Sequence, residues 1–104
     1  MKYKLKIFRS LKDQRQGALT LGYPLPKNIL MFFPNVADGG VVHTKGMSES
    51  LFVVFLDKNF SMINYQVLAP NQMVMMPLET VHMVEFPVPS QIPAEGFEFL
   101  REYA

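Results

Sequence analysis

Cysteine is absent from this chain of 104 residues. Disulfides, zinc–thiolate sites and cysteine nucleophiles are excluded with it, so the fold must hold by packing alone. Long apolar runs are also missing. None approaches the roughly 20 residues that cross a bilayer as a helix, and no membrane partner is expected. Charge of one sign is lacking: 10 basic residues stand against 9 acidic ones. That balance gives no electrostatic ground for binding nucleic acid. Two catalytic signatures are absent as well. No Gly-x-Ser-x-Gly elbow surrounds Ser48 or Ser50, so a hydrolase triad built on either serine with His43 is not expected. Asp38-Gly39-Gly40 has neither the spacing nor the following Lys-Ser/Thr of a phosphate loop.

What is present describes one small folded domain. Apolar residues make up 49% of the chain and charged ones 18%, a balance that opposes disorder and supports a single core. Eight methionines and nine phenylalanines supply much of that core, and flexible methionine can fill irregular gaps between strands. Charge is uneven along the chain. Lys2, Lys4, Lys6, Arg9, Lys12 and Arg15 crowd the start, and Glu95, Glu98 and Glu102 the end. The basic run reads as a solvated edge strand that its lysines protect from aggregation. From Met1 onward, lysine alternates with apolar residues and no continuous apolar stretch follows. No secretory leader is expected, and the cytoplasm is the expected compartment.

The pattern along the chain is mainly β. Tyr3, Leu5 and Ile7 alternate with lysines over Met1 to Phe8, as in a half-buried strand. Ser10 to Gln16 is polar and reads as a turn or loop, and Ala18 to Tyr23 as a short strand. Further strands are expected at Ile29 to Phe33, Val41 to Thr44, Leu51 to Leu56, Ser61 to Leu68, Met73 to Met76 and Thr80 to Phe86. Leu51 to Leu56 is apolar at every position, which fits a central strand buried on both faces. Asp38-Gly39-Gly40, Lys45-Gly46, Asp57-Lys58-Asn59 and Ala69-Pro70-Asn71 mark turns. Pro93 to Tyr103 is the expected helix, with Gly96 against it. The fold class that follows is a mainly β, small single-domain barrel or sandwich with at most one or two short helices, residues 1–104 forming one domain.

The middle of the chain carries a recognisable series: Phe32-Phe33-Pro34, then His43-Thr44, Met47, Phe55-Leu56-Asp57, Leu68-Ala69-Pro70 and Val84-Glu85-Phe86-Pro87. Arg15-Gln16-Gly17 adds an upstream Arg-x-Gly element. This series resembles the DUF192 family of small bacterial and archaeal proteins, whose biochemical role is not established. The resemblance implies a compact, mainly β fold and no particular activity. Two departures stand out: Phe52 occupies the place of the family's strand aspartate, and Gln91 to Ala104 replaces its glycine-rich end.

Candidate site residues follow from the polar groups next to apolar strands. His43, Thr44, Lys45 and Met47 cluster at one turn, Asp57 ends the central strand and Glu85 ends the last one. A buried carboxylate at Glu85 would need a partner, with Lys45 and Arg15 as the candidates. The leading expectation is a non-catalytic module that binds a small ligand or a protein near the His43–Met47 turn, with no catalytic residue, cofactor or metal assigned. One alternative is a small hydrolase or isomerase using His43 with Asp57 or Glu85. A further alternative is Cu(I) binding through Met73, Met75, Met76, Met83 and His82, with Met47 and His43 as additions. Against it, Met73 and Met75 alternate as inward side chains of a strand do, which reads as core packing. Edge-to-edge pairing into a homodimer is the expected mode of self-association.

Overall fold

A computed structural model describes residues 3–17, 25–36, 40–88 and 92–104. Among these, seven strands form two sheets. The larger has the order β1-β2-β7-β4-β5 and the smaller pairs β3 with β6. The strands are β1 (Lys4–Ile7), β2 (Ile29–Phe33), β3 (Val41–His43), β4 (Leu51–Leu56), β5 (Met62–Leu68), β6 (Met73–Met75) and β7 (His82–Pro87). The mainly β expectation is met as an open two-sheet arrangement and not as a closed barrel, because among the described residues β1 and β5 are free edges. No helix among the described residues is long and apolar enough to cross a membrane.

β1 runs parallel to β2, and the other pairs are antiparallel. A parallel pair needs a crossover longer than a hairpin turn, and here it includes α1 (Leu11–Gln16). This corrects the reading of Ser10 to Gln16 as a loop. Ser10 is the N-cap and its hydroxyl accepts from the Asp13 backbone N–H at 3.0 Å, which satisfies one of the orphan donors of a first turn. Gln14 fixes the helix to the sheet by donating to the carbonyls of Phe8 and Pro34, each at 2.8 Å. The expected strand at Ala18 to Tyr23 and the first two residues of Asp38-Gly39-Gly40 lie outside the described residues.

β7 lies at the centre of the large sheet, between β2 and β4. Its side chains alternate between two separate apolar layers. Val84 and Phe86 join Leu30, Phe32, Val54 and Leu56 on one face. Phe97 and Leu100, at the start of the closing 3₁₀ helix (Glu98–Tyr103), cover that face. The helix begins later than the sequence suggests because Gly96 adopts φ +77°, a left-handed conformation that a continuing helix cannot contain. On the other face Met83 packs with Met31, Phe33, Val53 and Phe55. Val42 and Met47 cover this second layer, with Val74 and Met76 packed against it, so the β3–β6 pair sits on it as a flap.

The two free edges differ. β1 exposes Lys4 and Lys6, as the protected-edge reading anticipates. β5 carries no charged residue or proline, and Met62, Ile63, Tyr65 and Val67 are exposed along it.

Candidate functional site

The flap positions the first group of candidate residues. Thr44 follows β3 and is buried. Its hydroxyl donates to the Ala69 carbonyl at 2.5 Å and accepts from the Gln72 N–H at 2.9 Å. Its own N–H and carbonyl bond Gln72 and Asn71, and the carbonyl also accepts from Met47. Thr44 therefore ties the turn after β3 to the loop before β6. Met47 is inward-facing and belongs to the layer under the flap. Lys45 is exposed, and His43 lies on the outer face, where its Nδ1 accepts from the Lys45 N–H at 3.2 Å. Glu49 reaches across to accept from the Leu25 N–H at 2.8 Å.

Glu85 is the buried member. In β7 it stands directly between Met31 of β2 and Val53 of β4, and side chains opposite one another in antiparallel strands share a face. Its carboxyl therefore points into the layer that the flap covers. The residue is 6% exposed. Burial alone pushes its pKa from 4.5 up to about 8, because a charged carboxylate loses its hydration there. Neither sequence-proposed partner is seen to pair with it: Lys45 is exposed, the Arg15 side chain lies outside the described residues, and the ion pair among the described residues is Arg101–Glu98. At neutral pH the group is thus a protonated acid, able to donate one hydrogen bond and accept another.

Asp57 is placed apart from both. Its Oδ1 accepts from the N–H groups of Asn59 at 2.8 Å and Ser61 at 3.0 Å, closing the β4–β5 turn. It lies near His82, which pairs with Leu56 at the same end of β4. His82 is buried with its ring 4.3 Å from Phe60 and nearly parallel to it, and its Nδ1 accepts from the Asn35 N–H at 3.1 Å. Burial lowers the His82 pKa, and the Asp57 charge partly opposes this. Phe60 holds φ +64°, a conformation costly for a bulky residue, and Arg101 lies 5.4 Å above its ring. His43, Asp57 and Glu85 thus occupy three surroundings: the outer flap face, a hairpin turn and the inter-sheet layer.

The methionines are placed differently from the sequence reading. Met73 and Met75 are 72% and 69% exposed, and the inward positions belong to Val74 and Met76. The core-packing explanation fails for these two because both phases of Met73-Val74-Met75-Met76 are apolar, so alternation cannot tell which phase faces in. Met47 and Met83 are buried in the layer beneath, and His82 lies on the opposite face of the large sheet. His43 stands directly across from Met73, a pairing that depends on strand register and leaves no local signal in the sequence.

No family model matches the chain, and no curated protein does. Two solved structures are similar. A protein of unknown function from Novosphingobium aromaticivorans DSM 12444 superposes with a TM-score of 0.67 at 16% identity, over 82% of this chain and 63% of that one. A protein from Sinorhizobium meliloti 1021, provisionally described as a transcription regulator, gives a TM-score of 0.68 at 12% identity, over 82% of this chain and 68% of its own. At these identities the likeness is one of fold, and the chain spans somewhat less than two thirds of the first protein's length.

Proposed function

We propose that this chain is a non-catalytic binding module of the DUF192 type, cytoplasmic, with its site where the His43–Met47 turn and the flap meet the layer containing Glu85. The observation that carries this reading is Glu85 itself: an acid set in an apolar layer between Met31 and Val53, raised to a pKa of about 8 by burial alone. No fully buried side-chain oxygen or nitrogen among the described residues is left unpaired, and a ligand presenting a carbonyl or amide edge would accept a hydrogen bond from the protonated acid. Among the described residues a complete catalytic set is not assembled around it, since His43 and Asp57 face other surroundings. The Phe-Pro, His-Thr and Phe-Leu-Asp elements support the family assignment.

A thermal-shift screen of nucleotides, sugars, small acids and amides tests the reading. A ligand at about 100 times its dissociation constant adds about 2.7 kcal/mol of stability. A hit that disappears in Glu85→Gln is the expected result. A flat screen, or a hit indifferent to Glu85→Gln, would sink the small-ligand site.

The same reading includes self-association through β5, because its edge lacks the lysines that shield β1 and an open edge templates further pairing. Sedimentation velocity should show a dimer that Tyr65→Lys returns to monomer. A monomer at high concentration in the unaltered chain would remove this part.

A further inference from the structure

Among the described residues, the outward positions of β3 and β6 are Val41, His43, Met73 and Met75, three soft donors and no carboxylate. His43 lies directly opposite Met73 in the β3–β6 ladder, and Met75 is two residues along the same face, opposite Val41. Side chains opposite one another in an antiparallel pair have Cβ atoms about 5 Å apart, and residues i and i+2 of a strand are about 6.6 Å apart. Methionine's flexible side chain can bring its sulfur toward a neighbour across such gaps. Both thioethers stand in solvent, 72% and 69% exposed, and neither joins an apolar layer. Packing therefore does not account for two large apolar side chains held side by side in water.

We propose that His43, Met73 and Met75 form a surface site for Cu(I), binding through one imidazole nitrogen and two thioether sulfurs. Thioethers are soft, neutral ligands that favour Cu(I), and hard divalent cations find no carboxylate in this set. The Nδ1 of His43 accepts a 3.2 Å contact from the Lys45 N–H. Whichever ring nitrogen takes the metal, this contact must open: a metal on Nδ1 displaces it, and a metal on Nε2 leaves the neutral ring's proton on Nδ1. The contact is long and exposed, so little opposes its loss, and the Lys45 amide becomes a reporter of binding. The site goes beyond the ligand reading above: it uses the outward ring of His43 from the same turn, and none of its three ligands lies in the Glu85 layer, because the flap's two faces point in opposite directions.

The test is competition for Cu(I), held reduced by ascorbate, against a chromophoric Cu(I) chelator, with Ag(I) as a redox-silent probe for amide and methyl NMR. The unaltered protein should withdraw one equivalent of Cu(I). Met73→Leu with Met75→Leu should weaken binding by roughly tenfold or more, with the melting temperature little changed because both positions are exposed. Met62→Leu, at an exposed methionine on β5, should leave binding intact, and so should Glu85→Gln. Ag(I) should move the Lys45 amide and the Met73 and Met75 methyl signals. The proposal is overturned if the protein takes no Cu(I), if the double variant binds as tightly as the parent, or if Ag(I) moves other methionines instead.

Discussion

Glu85→Gln keeps the shape of the side chain and removes its proton equilibrium. The consequence is a change in how stability responds to pH. In the folded chain the carboxyl titrates at about 8 and its ordinary value is 4.5. Between these values the native state holds a proton that the unfolded state has released. Stability must then fall as pH rises, by about 1.4 kcal/mol per pH unit. The contribution is fully present below pH 4.5 and is lost by pH 8, a total of about 5 kcal/mol over the window. That is comparable with the whole stability of a small domain, 5–15 kcal/mol.

The glutamine variant lacks this slope. Its amide brings a second N–H that needs a partner, costing about 1–3 kcal/mol, but that cost does not depend on pH. The relevant quantity is therefore the difference between the two proteins as a function of pH. His82 works in the opposite direction: burial lowers its pKa, so its contribution is lost as pH falls below its ordinary value of 6.5. It is present in both proteins and cancels in the comparison. Urea unfolding of each at half-unit steps from pH 4.5 to 8 should show the curves diverging toward alkaline pH, the variant gaining several kcal/mol on the parent. Two parallel curves would refute the argument and would mean that Glu85 is hydrated or paired in solution.

Thr44→Val removes a hydroxyl that bonds the Ala69 carbonyl and the Gln72 N–H without changing side-chain volume much, and should cost about 2–3 kcal/mol in urea unfolding. At Phe60 the usual order of glycine and alanine should reverse. Phe60→Ala and Phe60→Gly both lose the stacking on His82, but only glycine also relieves the left-handed φ of +64°, so the glycine variant should be the more stable by about 1 kcal/mol. Equal stabilities, or alanine ahead, would contradict the strain argument. Ser10→Ala should cost about 1 kcal/mol through loss of the cap on α1, read in the same unfolding assay.

The elements written plainly in the sequence are those with a single consistent periodicity. β1 shows lysine and apolar residues in strict alternation, and β4 shows six apolar residues in a row, bounded by turn chemistry at Asp57. The elements that went unread each depend on something beyond their own span. α1 is polar after Leu11 and shows no apolar periodicity, and its anchoring comes from Gln14 reaching Phe8 and Pro34. β6 has apolar residues in both phases, so the choice of Val74 over Met73 for the interior is made by the sheet beneath. The strand order places β7 between β2 and β4, two strands distant in sequence. The candidate site shares this dependence: Glu85 is an unremarkable acid in its own segment and becomes a buried one through Met31 and Val53.

The division of β7 between two layers has a consequence for how the protein can vary. Met83 and Val84 are joined by a peptide bond, yet one packs with Phe33 and Phe55 and the other with Phe32 and Leu56. Substitutions that share no partners and lie more than about 7 Å apart combine almost independently, a condition that residues of the two layers on different strands can meet while bonded neighbours such as Met83 and Val84 do not. The flap-covered half can therefore accumulate changes that suit a new binding partner while the half under the 3₁₀ helix keeps the chain folded. Divergence should run at two tempos along one strand, alternating residue by residue with the pleat.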